Sequence, residues 1–300
     1  MLLGISSYCV DNVIERGEMT LLDAIDWAAA QGAECMELVP FAFSFLDDAG
    51  NIDGEFIRKA VRRASDAGVK LVNYSVLADL CKEDAKEFAA EVSRIKRHAD
   101  VAAEIGVPVM RHDVSAFRRP HGENGIEYFD RLLPRIVEGA KEITAYARTL
   151  GVKTMIENHG FFANGCDRVE RILNAVNDEN YGLLLDTGNI ACVDEDPAVA
   201  AGRLADRACM IHLKDFYIRK RDPGDTTLFD CGGHWFRSMA GRYLRGAILA
   251  QGDLDIWEIL GAIKHSGYDG NIAIEFEGLE ESRYATRVSL DNAHRIWDEV

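Results

Sequence analysis

The sequence predicts a single α/β domain, one closed parallel (β/α)8 barrel spanning residues 1–300. Three observations point there. Apolar, strand-like runs alternate with Ala-, Glu-, Arg- and Leu-rich helical segments along nearly the whole chain, the pattern of a parallel sheet covered by helices. The strand-like runs number eight, the count that closes a barrel. Gly32, Gly68, Gly106, Gly151 and Gly267 stand where helices hand over to the next strand, and Gly just past a helix is the usual stop signal.

Taken in order, strands are expected at residues 3–10, 35–40, 71–77, 107–113, 153–159, 181–189, 208–215 and 271–278. Helices are expected at 21–31, 55–67, 85–105, 126–150 and 256–265, with 282–299 after the last strand. An open doubly wound sheet is the alternative, but it would usually carry a Gly-rich turn after its first strand, and ISSYCVDN has none. Residues 216–255 interrupt the repeat with RKRDPGD, CGGHWF and GRYLRG. A segment this long is usually functional or disordered. Its Phe229, Gly232, Gly233, Trp235 and Phe236 favour an ordered lid over the C-terminal mouth. No Pro/Ser-rich linker divides the chain.

Composition narrows the function classes. The chain is 48% hydrophobic and 28% charged, which is ordinary for a globular protein. A net charge of −16 disfavours nucleic acids and anionic membranes as partners. No apolar run reaches membrane-spanning length. The opening MLLGISSYCVDN lacks a basic, then apolar, leader pattern, so no secretory signal is expected. Cys9, Cys35, Cys81, Cys166, Cys192, Cys209 and Cys231 are odd in number and form no CxxC pair. They read as free thiols in a reducing cytoplasm. A homo-oligomer is compatible with an acidic barrel, although no interface is legible.

Glu157 in KTMIENH, Asp186 in YGLLLDTGN, His212 in ACMIHLKD and Glu275 in NIAIEFEG end the last four strand-like runs. An isolated acid in a buried strand is costly unless something compensates it. Barrel strand ends converge on one mouth, so a single divalent cation could serve all four. Three carboxylates and one imidazole suit manganese, magnesium or cobalt, with zinc possible. The plain alternative is four unrelated residues, each capping its strand or pairing locally.

These motifs carry a family resemblance. IENHG, LLDTGN, IHLKD and IAIEFEG, in this order, together with GDLDIWEILGAIKHSGYDGNIAIE, resemble the xylose isomerase-like TIM barrels of the sugar phosphate isomerase/epimerase superfamily. The resemblance covers nearly all of the chain. It implies a metal-dependent proton transfer beside a sugar carbonyl, in which Glu157 and Glu275 bind the metal and act as the acid/base pair. Asp186 and His212 would complete the shell. A C–H beside a carbonyl is acidic enough for a carboxylate only when the developing enediolate is stabilised. Proton return to the same carbon gives an epimer, return to its neighbour gives an isomer, and loss of a β-hydroxyl gives dehydration.

One position departs from the family. Many members carry His three residues after the strand-six Asp, where this chain has Asn189, which hydrogen-bonds but supplies no proton. His159, two residues beyond Glu157, is expected to face the pocket. Lys214 shares the strand face of His212 by period-two alternation and could hold a substrate oxygen or a salt bridge. Glu37 and Arg111 could touch the substrate or each other, and one of His112 and Asp113 must point inward, as must one of Asn73 and Tyr74. Trp235 and His234 could cover a sugar ring, or Trp235 could anchor its loop. Arg219, Lys220 and Arg221 read as a solvated turn before they read as a phosphate site.

The leading expectation is a metal-dependent isomerase or epimerase of a small sugar or keto-polyol. A lyase of the inosose-dehydratase or keto-glycoside type comes second. An apurinic endonuclease is remote, because eight His and the acidic charge suit neither a multi-zinc site nor DNA.

Overall fold

The structure, a computed structural model, describes residues 1–117, 119–227 and 233–300. Phe229, Cys231 and Gly232 therefore lie outside the described residues. The strands are β1 (Leu2–Ser6), β2 (Cys35–Leu38), β3 (Lys70–Val76), β4 (Val109–His112), β5 (Lys153–Glu157), β6 (Tyr181–Asp186), β7 (Ala208–Leu213), β8 (Asp215–Arg219), β9 (Thr226–Thr227), β10 (Trp235–Arg237), β11 (Tyr243–Ala247) and β12 (Asn271–Ile274). The helices are α1 (Asp11–Glu15), α2 (Leu21–Ala30), α3 (Gly54–Ala67), α4 (Ala85–Ile105), α5 (Ile126–Thr149), α6 (Cys166–Val176), α7 (Pro197–Leu204), α8 (Ile256–His265) and α9 (Ser282–Glu299).

Eight strands close a barrel in the order β1-β12-β7-β6-β5-β4-β3-β2, every pair parallel. The expected (β/α)8 TIM barrel is the observed fold. Helix boundaries follow local chemistry. Asp53, Asp84 and Asp255 accept backbone N–H groups at the starts of α3, α4 and α8, relieving donors that a helix start leaves unpaired. Gly68 and Gly106 end α3 and α4 at φ 76° and 83°, a conformation that favours glycine.

Two packing zones result. Between strands and helices lies the large apolar core. Inside the barrel, Cys35, Val72, Met155, Leu184, Met210 and Ala273 form a separate buried plug. It is a dry floor, above which the same strands turn polar.

Some boundaries differ from expectation. The first strand stops at Ser6, whose hydroxyl accepts from Tyr8 N and starts the 3-10 turn Ser7–Val10. The sixth stops at Asp186, and Asn189–Val193 form a 3-10 turn. The largest difference is the stretch 216–255, which holds a small sheet in the order β8-β11-β10-β9. One face is apolar: Ile218 lies opposite Leu244, which lies opposite Phe236, and Phe236 packs edge-on against Phe216 at 5.7 Å. That period-two signal is too short and too interrupted to stand out in sequence.

The six described cysteines are free thiols. Among the described residues no helix is long and apolar enough to cross a membrane.

Candidate metal centre at the barrel mouth

Strand register brings the four expected ligands together. Glu157 lies beside Leu184, Asp186 beside His212, and His212 beside Ala273. Steps of two keep a strand residue on the same face, so Asp186 follows Leu184 and Glu275 follows Ala273 into the interior. Glu275 sits one residue past β12, where its N–H still donates to Leu213 O at 3.0 Å. One ligand atom from each of Glu157, Asp186, His212 and Glu275 lies within 4.8 Å of the others.

Surrounding groups hold these side chains in place. Arg111 Nη2 lies 2.7 Å from both Glu157 Oε2 and Asp113 Oδ1. Asn189 Nδ2 donates to Glu157 Oε1 at 2.9 Å, and its N–H donates to Asp186 Oδ1 at 2.8 Å. Lys214 Nζ donates to Asn189 Oδ1 at 3.1 Å and faces Asp186, Glu275 and Glu277 at 3.2, 2.5 and 3.5 Å. Its stem explains the glycine of DTGN: a Cβ at Gly188 would stand 2.7 Å from Lys214 Cβ. Asn158 locks Asp186 from behind, donating Nδ2 to its carbonyl and accepting its N–H, both at 2.8 Å.

The electrostatics are lopsided. Six buried or nearly buried carboxylates (Glu37, Asp113, Glu157, Asp186, Glu275 and Glu277) share the site with two permanent cations, Arg111 and Lys214, and with the His212 imidazole, the one that Glu37 faces. Burial pushes Glu157 up despite the pull of Arg111, and burial with the Glu275 charge raises Glu277. Burial opposes charge on Asp186 too, but Lys214 and His212 hold it below the ordinary carboxylate range. Against its own burial, His212 is held well above an ordinary imidazole by Glu37 and Glu275.

A divalent cation fits this set. Asp186 Oδ2 and His212 Nδ1 are buried without a hydrogen-bond partner, a costly state for polar atoms. His212 Nδ1 stands 3.8 Å from Asp186 Oδ2 and 3.7 Å from Glu275 Oε1. These gaps are too long for hydrogen bonds. They are near the roughly 3–3.5 Å between neighbouring ligands of an ion with about 2.1 Å bonds.

The expected substrate contacts divide into three groups. His159 faces the mouth: its Nδ1 lies 3.0 Å from Asp113 Oδ2 and 3.1 Å from Arg111 Nη2, and Phe117 stacks on its ring at 4.9 Å. Arg111 can only donate and Asp113 can only accept, so Nδ1 serves one or the other according to its tautomer, and Nε2 is left for another partner. Arg111, Asn189 and Lys214 also sit at the mouth, each engaged with a ligand carboxylate. Glu37 and Trp235 are engaged differently. Glu37 is 0% exposed and both its oxygens face other side chains, so it has no free edge for a substrate. It also makes no ion pair with Arg111; its charged neighbour is His212. Trp235 lies on β10 between Arg219 and Arg245, with cation–ring distances of 5.6 and 5.2 Å, which fits the loop-anchor alternative. His234 pairs with Asp225, and Arg219 with Asp253.

The two strand-end ambiguities resolve by contact. Asn73 points inward to Glu37, while Tyr74 reaches His98 on α4. Asp113 joins the mouth, while His112 bonds to backbone and lies near Tyr181. Sequence reasoning left Asp113 as one of two choices and missed Glu277 and Asn158 as site residues. Glu277 was legible, since it follows Glu275 by two in IEFEG.

Comparison with known proteins follows the same line. The sequence profile described as Xylose isomerase-like TIM barrel matches residues 25–295. The inosose dehydratase of Lacticaseibacillus casei is 28% identical over 148 residues, 48% of this chain and 46% of that protein. The chain spans about half the length of the curated relatives it matches. The crystal structure of the IOLI protein with a bound zinc atom superposes with a TM-score of 0.74 at 14% identity, covering 100% of this chain and 99% of that one. An L-ribulose 3-epimerase structure has a TM-score of 0.74 at 14% identity, covering 99% and 95%. At such identity the two structures speak for the fold. The profile spans most of the sequence, and the chain belongs to the xylose isomerase-like TIM barrel family.

Proposed function

We propose that this protein is a divalent-metal-dependent enzyme that moves a proton beside the carbonyl of a small keto-sugar or keto-polyol, yielding an isomer or epimer. The observation that carries this reading is the convergence of Glu157, Asp186, His212 and Glu275 on one point of the mouth. Manganese, magnesium or cobalt suits the oxygen-rich set, and zinc is compatible. When bound, the cation would stabilise negative charge developing on the substrate oxygens.

The chain's own groups would do the rest. Glu157 and Glu275 are the acid/base pair, one taking the proton and the other returning it. Burial lifts Glu157 toward a range in which a carboxylate can exchange protons near neutrality. Arg111 and Asn189 grip one Glu157 oxygen each and fix its aim. Lys214 offsets the crowding of Asp186, Glu275 and Glu277. His159, held by Asp113, offers Nε2 to a substrate hydroxyl. The free cysteines fit a reducing, cytoplasmic setting.

A second reading, a dehydratase using the same groups, draws support from the likeness to inosose dehydratase. One experiment addresses both. Purified protein is assayed for bound metal, then incubated in deuterated water with ketoses, keto-inositols and 3-keto-glycosides. Carbon-bound deuterium in a product of unchanged composition supports isomerisation or epimerisation. An ultraviolet-absorbing, unsaturated product favours the dehydratase. Metal-loaded protein that exchanges no carbon-bound proton in any of them would refute both.

A further inference from the structure

We infer that Glu37 is a positioning residue for the metal centre: it takes the Nε2 side of His212 and so leaves Nδ1 bare and aimed at the cation. The inference rests on the metal reading above and assigns Glu37 a role apart from substrate binding.

Glu37 is an unusual place for a carboxylate. It lies on β2, at the opposite side of the barrel from the ligand strands, and is 0% exposed. A buried carboxylate is expensive unless it is paired and hydrogen-bonded, yet no Arg or Lys forms an ion pair with it among the described residues. Polar neighbours compensate it. Asn73 Nδ2 and Ser75 Oγ donate to Oε1 at 2.7 and 2.5 Å, and Oε2 faces His212 Nε2 at 2.8 Å. Asn73 and Ser75 follow each other by two on β3, so both point inward at the same carboxylate. Asn73 Nδ2 divides itself between Glu37 and Ser75. Two polar residues thus hold a third at a set height beside the imidazole.

The consequence falls on His212. An imidazole has two ring nitrogens, and the group facing one settles what the other can do. A carboxylate accepts and cannot donate, so Glu37 draws a proton to Nε2. Only Nδ1 then remains for the gap shared with Asp186 and Glu275. Without Glu37, His212 could carry its proton on Nδ1 and present a donor to the cation. The 2.8 Å contact has the length of a hydrogen bond, although the ring N–H does not point squarely at the oxygen. A carboxylate behind a metal-binding His also raises the basicity of the ligating nitrogen, and losing such a partner typically weakens metal affinity roughly 10–100-fold.

The test is direct manganese binding, followed by calorimetry, to full-length parent protein and to Glu37→Gln. The substitution keeps the shape but puts an amide where three donors converge. The expected result is a dissociation constant weaker by roughly 10–100-fold, with the circular dichroism spectrum unchanged. A second readout is independent of affinity. In zinc-loaded, 15N-histidine-labelled protein, the Nε2 proton of His212 should appear as a slowly exchanging downfield resonance, and it should move upfield or vanish in Glu37→Gln. Should Glu37→Gln fail to fold, Ser75→Ala removes one restraint on the carboxylate and should weaken manganese binding by a smaller factor. Manganese affinity within twofold of the parent, or an unmoved His212 proton, overturns the inference while leaving the metal reading intact. A parent protein that binds no manganese overturns both.

Discussion

The mouth of this barrel has two unlike arcs. On one, β5, β6, β7 and the end of β12 supply Glu157, Asp186, His212 and Glu275, which each bring one ligand-type atom within 4.8 Å of the others. On the other, β2, β3 and β4 supply Glu37, Asn73, Ser75 and Arg111, with Asp113 just beyond; Glu37 and Arg111 touch the first set, and the rest hold those two. On the proposed reading, the first arc meets the ligand. The second fixes charge, tautomer and aim. A pre-organised site needs both, because a group that reacts must also be held.

The sharpest way to separate the arcs is to disable the chemistry of the first without touching its frame. Glu157→Gln and Glu275→Gln should each lower turnover about 10²–10⁴-fold, the usual worth of a positioned acid or base, while the barrel stays folded by circular dichroism. Full activity in either variant removes that residue from the acid/base pair. On the same arc, Asp186→Ala or His212→Ala should deplete bound metal, measured by elemental analysis. Unchanged occupancy in both would exclude them from the shell.

The second arc should fail differently. Arg111 is buried between Glu157 and Asp113. Arg111→Met leaves both carboxylates without their shared cation and should cost about 3–5 kcal/mol of stability in urea unfolding, as breaking a buried pair does. A loss under about 1 kcal/mol would mean that Asn189 and His159 hold these groups adequately alone. Below both arcs lies the apolar floor, and Met155→Ala there should cost about 3 kcal/mol through cavity formation. Manganese content should be unaffected. A matching loss of manganese would show that floor and mouth are not separate layers.

The arcs also differ in how far they could be read from sequence. Each first-arc residue ends an apolar run, so its cost is visible locally and its placement follows from the repeat. Even so, only register shows that Asp186 sits one step of two above the level of Glu157. The second arc gives no such cue. Glu37 sits in CMEL with nothing beside it to explain the charge, and its partner His212 lies far along the chain. Asp113 meets His159 across 46 positions. Pairings of this kind depend on strand order and on which residue of a strand faces inward, and β3 adds an irregularity between Met36 and Glu37 of its neighbour. The small sheet within residues 216–255 was hidden because strands as short as Thr226–Thr227 carry no period of their own.

The smallest expected effect probes the second arc through pH. Burial alone would raise the Glu37 carboxyl, but the His212 charge, with the Ser75 hydroxyl and other polar neighbours, outweighs it and holds the group at about 2, against 4.5 when free. A carboxyl depressed by folding contributes its stability in full above the unfolded value and loses it as pH falls through the folded one. In metal-free protein, the stability advantage of the parent over Glu37→Gln should therefore be constant above about pH 5 and shrink by about 2–3 kcal/mol as pH falls toward 2. His212 is held well above the ordinary imidazole range, so it stays protonated throughout this window and does not contribute to the change. Urea unfolding at pH 6 and pH 3 reads the difference. An advantage that is the same at both values would mean that Glu37 is not held as a carboxylate by its neighbours. The supporting arc would then owe its order to packing instead of charge.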